Sequence, residues 1–241
     1  MDLVNELEGI LNVMIDKLYA DPKYSRLITG ELTKEEYLNF LTQTYHYVIN
    51  TPKTLLTVTK NLKGHPNPIY QMIQKRFLEH AKEERGHHLW VLNDVKALGY
   101  DPEMVKNTAP SPAIEAYNAY SHFVATSQNP IGIFGEAYIL EGFSEKIGPV
   151  SLKNLREKST IPNIEKAISF IVFHAEADID HMQSLRNILR DVTDEDDKYA
   201  IRLCASVVAQ QYTHLLHYVE PTSPTWPVGA STRGKAKIAV K

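Results

Sequence analysis

His80, Glu84 and His87 stand at positions i, i+4 and i+7, and His174, Asp178 and His181 repeat that spacing about a hundred residues later. At about 100° per residue, an α-helix places such a triplet within a sector of roughly 60°. Two faces of this kind turned toward each other would surround a polyvalent metal site. With 10 His and 29 Asp+Glu in the chain, one such triplet is expected about 0.05 times by chance, so a pair of them is not accidental. Four imidazoles, several carboxylates and no thiolate suit iron, manganese or zinc, and argue against copper(I) or an iron–sulfur cluster. Six or seven N and O donors exceed what one tetrahedral zinc needs and fit a two-metal site.

Both triplets lie in apolar stripes. The first follows Ile69, Ile73 and Phe77 and precedes Val91, Val95 and Leu98; the second follows Ile164, Ile168 and Ile171 and precedes Leu185 and Ile188. These are core-facing positions, where an unpaired charge costs several kcal/mol or more. The plainer alternative is a hydrogen-bonded polar network in a helical core, but it does not require two matched spacings.

A further carboxylate comes from Gly135-Glu136-Ala137-Tyr138-Ile139-Leu140-Glu141-Gly142. Glu141 shares a helix face with Phe134, Ala137, Ser144 and Gly148, and those small residues leave room for a ligand or dioxygen. Glu136 lies roughly 140° away on the helix, which makes Glu141 the candidate bridging carboxylate. Glu83 competes with Glu84 for the first face. His88 is expected to face a neighbouring helix or solvent. His46 is either an additional ligand or a packed core histidine. His214 and His217 are read as packing or surface residues, Cys204 as a small buried hydrophobe, and Tyr45, Tyr120 and Tyr138 as core residues that could line a cavity.

Seven helices carry these groups. The first spans residues 2–20 and is stopped by Asp21-Pro22. A capping box, Thr33-x-x-Glu36, opens the second, which runs to about Leu62 with a kink expected at Pro52. The third runs from about Pro68 to Leu98, ended by Gly99. Ser111-Pro112 starts the fourth. Asn129-Pro130 starts the fifth, which is expected to end near Ile147 at Gly148-Pro149. Ile161-Pro162 starts the sixth, to about Leu189, and Thr193-x-x-Asp196 caps the seventh, to about Val219. No segment alternates with period two, so the fold class is all-α. One domain over residues 1–220 and a flexible tail over 221–241 are expected.

The bulk composition narrows the function classes. A hydrophobic content of 43% and a charged content of 23% suit a soluble globular protein. A net charge of −3 gives no reason to expect nucleic acid or an anionic membrane as partner. The single cysteine excludes an internal disulfide framework and fits a cytoplasmic setting. No basic n-region marks a signal peptide, and no run of about 18 apolar residues marks a transmembrane helix.

At these residues the chain resembles the haem-oxygenase-like superfamily, and specifically its non-haem diiron oxidase and oxygenase branch, which includes the chlamydial CADD-like proteins, with TenA and PqqC as cousins. The resemblance covers residues of about 5–220. It rests on a carboxylate–histidine pair on the third helix (Glu84, His87), a lone Glu on the fifth (Glu141), and His-x-x-x-Asp-x-x-His on the sixth (His174, Asp178, His181). It implies a seven-helix bundle, two irons assembled with dioxygen, and oxidation of a small, often amine-bearing or carboxylate substrate. The fold often dimerises, so a homodimer is expected. The chain also departs from the pattern. His80 stands where several members carry Glu, and the second helix offers only His46 and polar residues near Asn50. A nitrogen-richer site of this kind would hold one metal firmly and the second as a labile ion, with manganese as a possible occupant.

The resulting expectation is a metal-dependent oxidoreductase acting with O2. Glu141, His174 and Asp178 are its central catalytic groups, and His80, Glu84, His87, Glu141, His174, Asp178 and His181 are its metal ligands. The alternatives are a cofactor-free PqqC-like oxidase, a TenA-like protein that binds or hydrolyses a small molecule, and a helical interaction protein with a structural metal. A TenA-type hydrolase needs a cysteine in its cavity, and Cys204 on the last helix is misplaced for that role. A true haem oxygenase needs a proximal His on its first helix, and residues 1–30 hold none.

Overall fold

A computed structural model describes residues 2–217; the expected tail at 221–241 and the predicted helix end near Val219 lie outside them. Eleven α-helices and two short 3-10 turns make up the described chain, without strands. The helices are α1 (Leu3–Ala20), α2 (Pro22–Thr29), α3 (Lys34–Val48), α4 (Thr51–Asn61), α5 (Pro68–Glu83), α6 (His87–Ala97), α7 (Pro102–Asn107), α8 (Pro112–Thr126), α9 (Ile133–Lys158), α10 (Ser169–Arg190) and α11 (Glu195–His217). The all-α class is as expected. The count differs from seven because two expected helices are each divided and two short ones, α2 and α7, were not foreseen.

Each division has a local cause. The capping box at Thr33 and Glu36 forms with both reciprocal bonds. The helix it opens then ends at Val48 and restarts at Thr51. Pro52, at the start of α4, has no N–H to continue the ladder, so the expected kink is a break. The expected third helix is divided between Glu83 and His87. Gly86 there has φ +100°, a left-handed conformation that glycine adopts without steric penalty. Asp21-Pro22 does stop α1, but Pro22 also serves as the first residue of α2.

Two boundaries move. Gly148-Pro149 does not end α9, which continues to Lys158 with Pro149 inside it. One lost backbone bond is outweighed by burial of Ser151, Leu152 and Leu155 against neighbouring helices and by the bond from Asn154 Nδ2 to the Ile28 carbonyl at 2.8 Å. The expected sixth helix begins later, at Ser169, after a 3-10 turn at Ile164–Lys166.

α9 occupies the centre, packed against α1, α2, α8, α10 and α11. A continuous cluster of buried apolar side chains surrounds it, including Leu7, Leu11, Phe77, Phe134, Ile139, Met182 and Val208. The approach of α11 is close enough that a Cβ on Gly135 would meet the Ile201 carbonyl oxygen at 2.1 Å. Glycine at that position lets the two helices touch backbone to backbone, which fixes the depth at which the middle of α9 sits.

α10 starts in an unusual way. Its N-cap, Ile168, has no side-chain acceptor. The exposed amides are capped from another helix: Asp94 on α6, fully buried, accepts from Ser169 N at 2.9 Å, Ser169 Oγ at 2.6 Å and Phe170 N at 2.9 Å. A carboxylate at a helix N-terminus is favourable. Here it also joins α6 to α10.

Candidate metal centre

α5, α6, α9 and α10 bring the predicted residues together in two groups. His80, Glu141 and His181 each offer a ligand atom within 4.8 Å of the others, and so do Glu84, His87 and His174. The groups adjoin: His80 Nε2 is 3.3 Å from Glu141 Oε1 and 3.5 Å from Glu84 Oε1. Asp178 belongs to neither trio but stands beside the first, its Oδ1 3.2 Å from His181 Nδ1. The imidazole rings pair across the helices, His80 with His181 at 5.2 Å and His87 with His174 at 5.0 Å. The matched spacing survives although the third helix does not run through: Glu84 caps α5, and His87 opens α6 after the Gly86 turn.

Direct hydrogen bonds do not satisfy this cluster. Both carboxylate oxygens of Glu141 are buried without a partner, and so is His87 Nδ1. Glu84 Oε2 lies 3.0 Å from that nitrogen, close enough for a charge contact but out of line for a hydrogen bond. Native structures rarely leave such atoms bare, because each costs about 1–3 kcal/mol. A set of orphaned N and O donors around a shared space is the arrangement that divalent cations complete.

The electrostatics agree. The Glu141 carboxyl is pushed well above the ordinary carboxylate range, first by burial and then by the charges of Asp178 and Glu84. Burial also pushes Glu84 up, but the facing His80 and His87 rings outweigh it and hold that group below the usual range. His181 is raised, mainly by its bond to Asp178. Three acids sharing one buried region repel each other, and a bound cation would invert that balance.

Outer groups orient the ligands. His174 Nδ1 lies 2.9 Å from the Phe170 carbonyl. A carbonyl can only accept, so Nδ1 carries the proton and Nε2 keeps the free lone pair. His181 Nε2 faces Glu83 Oε2 at 3.5 Å, and Glu83 in turn takes Arg76 Nη1 at 2.9 Å. Glu83 therefore serves the outer layer, its side chain 45% exposed, while Glu84 faces inward at 9%. The ring of His87 stacks on Trp90 at 4.3 Å, and Trp90 stacks on Phe173 at 3.7 Å.

A cavity of ≈ 120 Å³ opens beside the cluster. His80, Glu84, Glu141, His174 and Asp178 form one side of its wall, and apolar residues such as Phe40, Leu55, Leu140, Ile147 and Ile171 form much of the rest. Ala137, Ser144 and Gly148, the small residues on the Glu141 face, line it as their spacing implies, whereas Phe134 stacks on Phe77 instead. Of the tyrosines singled out in the sequence, none is in the wall. Tyr138 donates to Glu8, Tyr45 faces His46 and His88, and Tyr120 lies near Cys204. Tyr47 and Tyr212 line the cavity in their place; nothing in their sequence spacing marked them.

The other histidines stay outside. His46 is half-buried edge-on to Tyr45, with its Nε2 unpartnered, and belongs to neither trio. His214 is exposed, and the His217 side chain lies outside the described set. Cys204 is buried on α11, away from the cavity wall, with its thiol pushed up by burial.

This fold and this cluster define the chain's family. It matches the haem-oxygenase-like family of iron-containing redox enzymes over residues 38–212, and it belongs to that family. Solved structures agree. A domain of unknown function with a haem-oxygenase-like fold from Shewanella denitrificans is 25% identical, with a TM-score of 0.79 over 91% of this chain and 92% of that one. A TenA homologue from P. horikoshii is 15% identical, with a TM-score of 0.72 over 91% and 98%. A CADD-like protein of unknown function from Nostoc punctiforme is 16% identical, with a TM-score of 0.60 over 89% and 93%. The last two show the fold alone. No curated protein sequence matches the chain. Among the described residues, no helix is long and apolar enough to cross a membrane.

Proposed function

We propose that the two trios hold two iron ions and that the protein is a non-haem oxidase or oxygenase, using dioxygen to oxidise a small organic molecule in the adjoining cavity. One observation carries this reading: two groups of buried His and carboxylate donors adjoin, and Glu141, which faces His80 and His181, has both oxygens unpaired. Bound iron would supply the redox equivalents and the open coordination position that dioxygen chemistry requires.

The protein's own residues set the conditions. His80, Glu141 and His181 would hold one ion, with Asp178 beside them, and Glu84, His87 and His174 would hold the other. Phe170 and Glu83 fix the rings of His174 and His181 so that little reorganisation accompanies binding. The apolar wall limits water around the reacting carbon.

Loading the protein with Fe(II) under anaerobic conditions should give close to two irons per chain by elemental analysis. Exposure to air should then start oxygen consumption. His174→Ala should abolish that consumption and leave the helical circular dichroism signal intact. A stoichiometry near zero would favour a cofactor-free oxidase using the same histidines, and survival of activity in His174→Ala would refute the site.

A further inference from the structure

Among the described residues, Trp90 is the one aromatic side chain outside the cluster whose ring meets both imidazoles of a trio. It stacks on His87 with centroids 4.3 Å apart and stands edge-on to His174 at 6.0 Å. Phe170, by contrast, meets His174 without meeting His87. Phe173 stacks on the same indole at 3.7 Å. Two rings at those separations cannot lie side by side, so His87 and Phe173 cover opposite faces of Trp90. The stack therefore runs outward, from buried His87 through half-buried Trp90 to Phe173, which is 51% exposed.

Indole brings something that packing does not require. With phenol, it is the aromatic side chain that gives up an electron, and van der Waals contact with a ligand ring is a short path for one. The competing phenols are Tyr47 and Tyr212 in the cavity wall. Oxidation of a phenol releases its hydroxyl proton, and burial opposes that release: Tyr47 is pushed up to about 12 and Tyr212 well above its ordinary value. Half-buried Trp90 borders solvent, which can take the indole proton.

We propose that Trp90 is an electron relay, passing electrons one at a time from a small thiol in solution to the metal centre when dioxygen is reduced with no organic substrate in the cavity. This rests on the metal reading of the site. Dioxygen takes up four electrons and four protons to become two waters. Two Fe(II) ions give two electrons as they become Fe(III). Two thiols give the other two through Trp90 and join as a disulfide; they release two protons, and solvent supplies the remaining two. In each passage the indole gives an electron inward through His87, its Nε1 proton leaves to solvent, and a thiol returns a hydrogen atom to that nitrogen. Without thiol, Trp90 gives both electrons itself, takes one oxygen atom from water, releases two protons and becomes hydroxytryptophan.

The test reads the side chains rather than turnover. The full-length protein, loaded with Fe(II) without air, is exposed to air with and without glutathione, and its peptides are weighed by mass spectrometry beside a metal-free control. Without glutathione, Trp90 should gain one oxygen atom in about ten-fold higher yield than Tyr47 or Tyr212, equivalent to about 1.4 kcal/mol in barrier. Glutathione should suppress that gain by a similar factor, with one disulfide formed per two irons oxidised. In Trp90→Phe, which keeps a ring between His87 and Phe173, added oxygen should shift to the cavity tyrosines and the disulfide yield should fall. Oxygen concentrated on Tyr47 or Tyr212 in the unaltered protein, or a Trp90 yield indifferent to glutathione, would overturn the proposal. If the variant does not fold, the oxidation pattern of the unaltered protein decides it. Full iron content with Trp90 unmodified refutes the relay alone, whereas iron content near zero refutes the metal reading and the relay with it.

Discussion

Glu136 and Glu141 lie on the same helix, each 6% exposed, and the fold treats them in opposite ways. Glu136 is met by two hydroxyls from α8. Glu141 is met by nothing that satisfies its oxygens, only by rings and acids at 3.3 Å and beyond. Burial is therefore no guide to which acid waits for a metal. The guide is what the surrounding helices supply: hydroxyl donors hold an acid as part of the protein, whereas imidazoles and like charges leave it in need of a cation.

The largest effect that would break this contrast is on metal content. Outer-layer changes typically cost about 10–100-fold in metal affinity, so Glu141→Ala, which removes a proposed ligand, should exceed about 100-fold. Glu136→Gln should retain the full stoichiometry on elemental analysis. If the two variants lost iron equally, the contrast would be void. Next in size is the stabilisation by iron. A ligand at a hundred times its Kd adds about 2.7 kcal/mol, which for a chain of this size is roughly 5–10 °C in Tm. Thermal denaturation of the unaltered protein with and without Fe(II) should show that gain, and Glu141→Ala should show little of it.

Stability without metal sharpens the comparison further. Glu136→Ala strands Tyr117 and Ser121 and should cost about 2 kcal/mol in urea unfolding. Glu141→Gln in the metal-free protein should be neutral or stabilising at neutral pH, because it removes a group the fold cannot satisfy. The smallest effect is on pH dependence. Glu141 has a folded pKa raised above its ordinary value of 4.5, so it retains a proton in the folded state that the unfolded chain releases. The stability this contributes is complete below the unfolded value and is lost as pH rises through the raised one. Metal-free protein should thus weaken between mildly acid and neutral pH, Glu141→Gln should flatten the trend, and iron, which displaces that proton, should stabilise more as pH rises. Glu136, Asp94 and His181 are raised in the same direction and contribute to the slope that Glu141→Gln leaves behind.

Much of the site could be read from the chain because its ligands sit in apolar stripes of helical period. Helical period alone places His80, Glu84 and His87 with Ile73, Phe77 and Val91. Glu141 over Glu136 followed from the small residues on its face. The hidden part depended on what crosses between helices. The Tyr117 and Ser121 bonds to Glu136, the cap that Asp94 gives to Ser169 and Phe170, and the Arg76–Glu83 link behind His181 join residues distant in sequence or on separate faces, and no periodicity encodes them. Helix ends depart from the local sequence signals for a related reason. At Pro149 tertiary burial outweighed a local stop signal. At Gly86 a single left-handed residue divides a helix whose apolar stripe runs on without a break.

The left-handed turn at Gly86 frees α6 from the direction of α5, and the Asp94 clasp then hitches α6 to the start of α10. His87, His174, Asp178 and His181 accordingly all sit on the two clasped helices, whereas His80 sits on α5. The boundary between the clasped pair and the rest cuts through the first trio, because His181 sits on α10 while His80 belongs to α5 and Glu141 to α9, so the turn at Gly86 bears on how closely His80 and His181 approach. Altering that one turn would respace the His and carboxylate donors across the centre while leaving the identity of each untouched.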